Sequence, residues 1–244
     1  MEILGLDIGG SGIKGAPVDI VTGKLVSERI RIPTPEPSPP EQIAKILLDI
    51  VKHFRWTGPV GCGFPGVVNK GEIFTASNID KKWLGTNATG LFSKTTGCEF
   101  VVINDADAAG IAEMEFGAGR DYSGVVFVIT VGTGIGTALF SKRCLVPNTE
   151  LGHLNMHGMI AERYSSDVAR KKEDLSWKKW SRRFNEYLAE IERLFWPDLI
   201  IIGGGVSKKQ PKFFQYLETK TKIVAAHLRN EAGMIGAAMA TKYL

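Results

Sequence analysis

Three apolar runs in this chain end in glycine clusters, and those ends are where chemistry is expected. Gly9, Gly10 and Gly12 follow the run at residues 3–8, with Ser11 and Lys14 among them. Thr130 closes a β-branched run and is followed by Gly132, Thr133 and Gly134. Gly203, Gly204 and Gly205 follow the run at 199–202. Glycine lets a backbone approach a ligand without an intervening Cβ, and the N–H groups of such a turn form a concave anion site. One such turn is equally a plain Gly-rich hairpin, but three strand ends of this kind can surround a chain of phosphates. The Gly-x-x-x-x-Gly-Lys-Ser/Thr spacing of a P-loop is missing. A strand, not a helix, is expected after Gly12, so a clean dinucleotide fingerprint is missing too. Asp7, at the mouth of the first turn, is placed to hold Mg²⁺ through water, as hard cations prefer oxygen. Alternatively, its carboxylate pairs with a nearby lysine or with backbone N–H groups.

Two further groups of polar residues stand out. Asp105 sits just after the apolar run at 100–103, with Asn104 between, and ligands of open α/β sheets gather at the carboxyl ends of strands. Asp107 competes with it from the first turn of the following helix, where an acidic residue also has a purely structural explanation in the helix dipole. Glu150 and His153 stand three apart, with Glu162 beyond. Such a cluster supplies the paired donors and acceptors that a hydroxyl-rich ligand needs. A satisfied core histidine is the plainer account of His153 alone, and a metal at Glu-x-x-His would lack an evident third ligand.

The elements that must position these groups alternate between strands and helices. Strands are expected at 3–8, 13–18, 24–32, 60–64, 100–103, 125–130, 137–140 and 199–202. Five prolines between residues 33 and 40 mark a rigid surface loop. Ser38 is expected to cap the next helix, with Pro39 at its first position and Glu41 completing a capping box. Ile43, Ile46, Leu47, Ile50, Val51 and Phe54 form one helical face, and Phe184, Tyr187, Leu188, Ile191, Leu194 and Phe195 another. Helices are also expected at 106–114 and 232–242. The class is therefore α/β. The strand–glycine turn–strand at Asp7 is echoed at Thr130, which suggests a duplicated domain with a cleft between its halves. The expected lobes are residues 1–104 with the closing helix 232–244, and residues 105–231.

Bulk properties narrow the class of protein. The chain of 244 residues is 44% hydrophobic and 23% charged, an ordinary globular balance. No run of about 18 apolar residues predicts a membrane span, and the opening residues lack the basic region of a signal peptide. Cys62, Cys98 and Cys144 stand far apart, so reduced thiols and a cytoplasmic setting are expected rather than a disulfide framework. The net charge of +4 is mild. Positive residues concentrate in Arg170, Lys171 and Lys172, in Lys178, Lys179, Arg182 and Arg183, and in Lys208, Lys209 and Lys212. They are either solvated helix faces or a track for a polyanion.

Six motifs occur in a fixed order: Asp7-Ile-Gly-Gly-Ser-Gly-Ile-Lys-Gly15, Gly63-Phe-Pro-Gly66, Asn104-Asp105, Thr130-Val-Gly-Thr-Gly-Ile-Gly136, Glu150-Leu-Gly-His153 and Leu199-Ile-Ile-Ile-Gly-Gly-Gly-Val-Ser207. The ordered set spans essentially the whole chain and resembles the ROK family of sugar kinases and repressors. It is most similar to the branch that phosphorylates glucose from inorganic polyphosphate, often from ATP as well. The resemblance implies an actin/hexokinase-like (ribonuclease H-like) two-lobed fold that closes over the sugar. It implies Asp105 as the base that activates the glucose 6-hydroxyl, and Gly66, Asn78, Asn104, Glu150, His153 and Glu162 as sugar contacts. It implies phosphate contacts at Gly9, Gly10, Ser11, Gly12, Lys14, Thr130, Gly132, Thr133, Gly134, Gly204 and Gly205, with Mg²⁺ near Asp7. It also implies a homodimer through the larger lobe. Many members carry a Cys-rich zinc motif after Glu-x-x-His; residues 155–162 here hold no cysteine, so no structural zinc is expected. The repressors carry a DNA-binding segment before the first strand, for which this chain has no room, so no nucleic acid partner is expected. The competing readings are a kinase for mannose or N-acetylmannosamine, a non-catalytic sugar sensor, and an actin-like filament protein.

Overall fold

The computed structural model describes residues 1–77 and 79–243, the side chain of Tyr243 excepted. In chain order its elements are β1 (Glu2–Gly9), β2 (Gly12–Asp19), β3 (Lys24–Leu25), β4 (Ile30–Ile32), α1 (Pro40–His53), β5 (Val60–Phe64), β6 (Val68–Asn69), β7 (Glu72–Ile73), α2 (Ala88–Thr96), β8 (Phe100–Asn104) and α3 (Asp105–Phe116). They continue as β9 (Val125–Val131), β10 (Ile135–Ser141), β11 (Cys144–Val146), β12 (Asn155–Met156), β13 (Met159–Ile160), α4 (Ala161–Ser165), α5 (Asp167–Lys172), α6 (Trp177–Phe195), β14 (Leu199–Gly203), β15 (Lys222–Ala225) and α7 (Ala232–Ala240). Two compact units result, Met1–Ala112 with Glu231–Leu244, and Glu113–Asn230. The division falls inside α3, whereas the sequence placed it after residue 104.

The two main sheets follow one plan. In the first unit the order is β3-β2-β1-β5-β8, with β4 also on β2; in the second it is β11-β10-β9-β14-β15. Each begins with an antiparallel hairpin, β1–β2 or β9–β10, and continues through two parallel partners. The echo between the glycine turns is therefore a repeat of topology. All residues of β5 and of β14 are buried. Their unbroken apolar character suits parallel strands covered on both faces.

Helix α7 closes the first unit by packing on β1 and β5. Its sequence, Ala-Gly-Met-Ile-Gly-Ala-Ala-Met-Ala, has no bulk to hold it off the sheet. Gly61 completes that fit, because a Cβ there would overlap the Ala237 carbonyl. Phe64, Trp83, Phe92 and Phe100 form a chain of ring contacts at 4.8, 5.8 and 5.5 Å in the same unit. In the second unit α6 buries Trp180, Phe184, Tyr187, Leu188 and Ile191. Trp177 and Trp180 both meet Phe213, at 5.6 and 5.2 Å. Glu113, 1% exposed, is satisfied by three backbone N–H donors, from Ala118, His227 and Leu228, at 2.9, 3.1 and 2.7 Å.

Several local expectations change. The strand expected at 24–32 is two short pieces, β3 and β4, paired to different parts of β2. Ser38 does not cap α1. Pro39 is extended ahead of Pro40, as a residue preceding proline prefers, and Pro40 opens the helix. The Ser38 carbonyl instead accepts the Trp83 indole N–H at 3.0 Å. Leu194 is 46% exposed and leaves the α6 stripe. That stripe extends the other way to Trp180, because the helix begins at Trp177, within the stretch read only for its charge. No helix of the described residues is long and apolar enough to cross a membrane.

Candidate active site

In the first unit the β1–β2 hairpin sets the site by register. Asp7 faces Lys14 and Gly9 faces Gly12, which leaves Gly10 and Ser11 exposed at the tip. The Lys14 ammonium lies 2.7 Å from the Asp7 carboxylate, both side chains being mostly buried. The paired-carboxylate alternative for Asp7 is thus what the residue does here. On the far side of β2, Lys14 faces Arg31 of β4. The Arg31 guanidinium donates to the Ser11 carbonyl at 2.6 Å, and Thr34 donates to the Gly9 carbonyl at 2.5 Å. Gly233 of α7 brings backbone against Asp7; a Cβ there would stand 2.8 Å from the carboxyl carbon.

The same unit frames Asp105. Asn104, 6% exposed, ends β8, and its side-chain oxygen accepts the N–H groups of Ala106 and Asp107 at 2.9 and 3.0 Å. Its Nδ2 donates to the Gly66 carbonyl at 3.1 Å. Asn104 therefore acts as a cap for α3 and a tie to the Gly63–Gly66 turn. Asp105, half-buried, is the first residue of α3. Asp107 is only 2% exposed, so it is the less available of the two. Asn78 lies outside the described residues.

In the second unit the two glycine-rich ends meet. Thr130 lies beside Gly203 in the register of β9 and β14. Gly204 has φ 73°, and a Cβ there would fall 2.5 Å from the Val131 carbonyl, so only glycine suits both the conformation and the space. Thr130, Gly132, Thr133, Gly134, Gly204 and Gly205 thus belong to adjoining strand ends.

Glu150, His153 and Glu162 also come together. His153 Nδ1 lies 3.5 Å from Glu150 Oε2, each side chain 34% exposed. Burial pushes the Glu150 carboxyl above its ordinary range; His153 opposes the shift and the nearby Glu162 adds to it. The brace behind them is Thr137 of β10. Its hydroxyl donates to the Thr149 carbonyl and accepts from Leu151 N–H at 3.2 Å, while Thr149 Oγ1 donates to the Thr137 carbonyl at 3.0 Å.

A model of the "ROK family" matches residues 3–164. The chain belongs to the ROK family. It is 46% identical over 238 residues to the polyphosphate glucokinase of Mycobacterium tuberculosis (strain CDC 1551 / Oshkosh), covering 97% of this chain and 90% of that protein. The inorganic polyphosphate/ATP-glucomannokinase from Arthrobacter sp. strain KM is 45% identical with a TM-score of 0.97, covering 99% and 98% of the two chains. A ROK family glucokinase from Streptomyces griseus, solved with glucose and AMPPNP, is 25% identical with a TM-score of 0.86 and full coverage of both. The fold of this ROK chain is accordingly the actin/hexokinase-like α/β class.

Within this ROK chain the basic residues divide into two sets. Arg170 and Lys171 both bind Asp167, at 2.8 and 2.7 Å, and Arg183 makes two bonds to Glu173, at 3.0 and 2.5 Å. Lys178, Lys179 and Arg182 are exposed and make no ion pair among the described residues. They occupy the first turns of α6, where no acidic residue offsets them and where the helix dipole disfavours positive charge. Lys208, Lys209 and Lys212 are likewise exposed on the segment after β14. The Trp177–Phe213 stack joins the two segments.

Arg31 and Thr137 were not legible as site residues. Arg31 reaches the first glycine turn only through the pairing of β4, and Thr137 is an ordinary β-branched residue until residues 149–151 fold against it. Among the described residues no three His, Cys, Asp or Glu side chains converge as a metal cage. One carboxylate, Asp7, beside a glycine-rich turn still suits Mg²⁺, which binds through one or two carboxylates plus substrate phosphates and keeps several waters.

Proposed function

We propose that this chain transfers a phosphoryl group from inorganic polyphosphate, and from ATP as a second donor, to the 6-hydroxyl of glucose, giving glucose 6-phosphate. The observation that carries this is the 46% identity to a polyphosphate glucokinase across 97% of the chain. The geometry supplies groups that such a reaction requires. Asp105 accepts the proton of the 6-hydroxyl as its oxygen attacks the terminal phosphorus, and the bond to the remaining phosphate chain breaks. Asn104 holds Asp105 by capping its helix. Gly66, Asn78, Asn104, Glu150, His153 and Glu162 contact the sugar. Gly9, Gly10, Ser11, Gly12 and Lys14, with Thr130, Gly132, Thr133, Gly134, Gly204 and Gly205, take the transferring phosphates. When bound, Mg²⁺ neutralises charge on the phosphate oxygens, and Asp7 holds it through water.

The remaining phosphates run along Lys208, Lys209 and Lys212 to Lys178, Lys179 and Arg182. This reading includes a homodimer through the lobe of residues 105–231 and a cytoplasmic setting, the latter supported by three free cysteines. The name of the Arthrobacter relative, a glucomannokinase, favours mannose as a second acceptor.

The deciding experiment measures hexose 6-phosphate formation with Mg²⁺, supplying ATP and long-chain polyphosphate separately and comparing Asp105→Ala. Turnover from polyphosphate that the variant abolishes is expected. Turnover from ATP alone would remove polyphosphate from the proposal, and turnover from neither would favour a sugar sensor.

A further inference from the structure

Residues 153–162 carry His153 and Glu162 at their two ends, and little inside the segment fixes its shape. The ribbon β12–β13 has only two residue pairs, and α4 is five residues long. Elements this short are marginal without outside support. The inner side is held by the core: Ala161 N–H donates to the Leu154 carbonyl at 2.8 Å, and the Trp180 indole donates to the Ser165 carbonyl at 2.8 Å. The outer side is held by two residues of α6, of which only Glu186 reaches both the ribbon and α4. Glu186 Oε2 lies 2.6 Å from Nε2 of His157, at the ribbon tip, and the Tyr164 hydroxyl of α4 donates to both Glu186 oxygens at 3.3 and 3.2 Å. Arg183, one turn earlier on α6, lies 4.8 Å over the Tyr164 ring and donates to the Tyr164 carbonyl at 3.2 Å.

We propose that Glu186 is a positioning residue for the sugar site: by gripping His157 and Tyr164 together it fixes the spacing of His153 and Glu162, and so sets glucose affinity. The inference rests on the sugar-contact reading of those two residues. Glu186 and His157 are exposed on their side chains by 45% and 62%. Pairs so open to water contribute little to global stability, yet they are enough to select one arrangement of a short ribbon.

The test measures glucose dissociation by calorimetry, together with kcat, both KM values and Tm, for Glu186→Ala, Glu186→Gln, His157→Ala and Glu186→Ala/His157→Ala. Glu186→Ala should weaken glucose binding about fivefold, the most that losing an exposed pair can shift the population of the competent arrangement, while donor KM and Tm stay near wild type. Glu186→Gln, which retains an acceptor, should recover most of the loss. The double variant should be no worse than Glu186→Ala alone. Glucose affinity within twofold of wild type in Glu186→Ala would overturn the proposal. So would a loss of affinity that comes only with a matching fall in Tm and is not recovered by glutamine. Failure of the wild type to bind glucose would overturn the sugar-site reading itself, and the positioning role with it.

Discussion

The ammonium of Lys14 sits 2.7 Å from the carboxylate of Asp7, across directly paired positions of β1 and β2. Each was expected to serve the donor separately, Lys14 on a phosphate and Asp7 on Mg²⁺. Their pairing makes them one unit that the arriving ligand must share. Lys14→Met should therefore act on both roles. It leaves a mostly buried carboxylate without its cation, at a cost of roughly 1–3 kcal/mol. It should also raise donor KM and shift the Mg²⁺ dependence of turnover, which a metal titration of initial rates would show.

Asn104 separates framing from chemistry. Asn104→Ala removes the acceptor for two N–H groups of α3 and the donor to Gly66. Loss of such a cap costs about 1 kcal/mol, read as a lower denaturation midpoint, and kcat should fall with it because Asp105 loses its frame. Asn104→Asp keeps the acceptor for the helix N–H groups but sets a buried carboxylate against the Gly66 carbonyl and beside Asp105, so it should lower both stability and kcat.

Glu150 makes the proposed sugar site sensitive to pH. Its carboxyl is raised above the ordinary 4.5, first by burial. A raised folded-state value means that the protonated form favours the native state. That contribution is complete below the unfolded value and is lost as pH rises through the folded one. At neutral pH this shift is thus a cost to folding. Glu150→Gln should raise Tm at pH 7, lose that advantage below about pH 4, and weaken glucose binding. Thermal melts across pH beside glucose titrations would check all three.

Gly204 is constrained twice, by φ 73° and by the Val131 backbone at 2.5 Å from a would-be Cβ. Gly204→Ala should cost roughly 1–3 kcal/mol and displace the strand end from Thr130. Chemical denaturation gives the first effect, and a rise in KM for both donors the second.

The division of the basic residues predicts unequal charge reversals. Lys178→Glu/Lys179→Glu/Arg182→Glu should raise the KM for long-chain polyphosphate at least tenfold at low salt, an effect that fades as salt screens the track. ATP is too short to need that track, so its KM should stay within about twofold. Arg170→Ala and Lys171→Ala, whose two charges share the single carboxylate of Asp167 and are partly offset by it, should change polyphosphate KM less. Initial rates at two ionic strengths would separate these outcomes.

What this sequence determined by itself is whatever residue type dictates locally. Unbroken apolar runs marked the buried parallel strands, glycine clusters marked the strand ends, and the echo between residues 7–13 and 130–136 announced a topology used twice. Asp105 stood out as a candidate because it comes at the end of a strand. Tertiary structure decided the partnerships. Strand register, set by residues far apart in sequence, joined Asp7 to Lys14 and brought Arg31 to the first turn. Packing made Asn104 a cap tied to Gly66, turned Ser38 from an expected cap into a partner of Trp83, and placed Thr137 behind Glu150. It also gave Arg170, Lys171 and Arg183 acidic partners while leaving Lys178, Lys179 and Arg182 without an ion pair among the described residues. Local sequence records what each residue can do; which neighbour it does it with depends on non-local contacts, and those exist only once the sheets have formed.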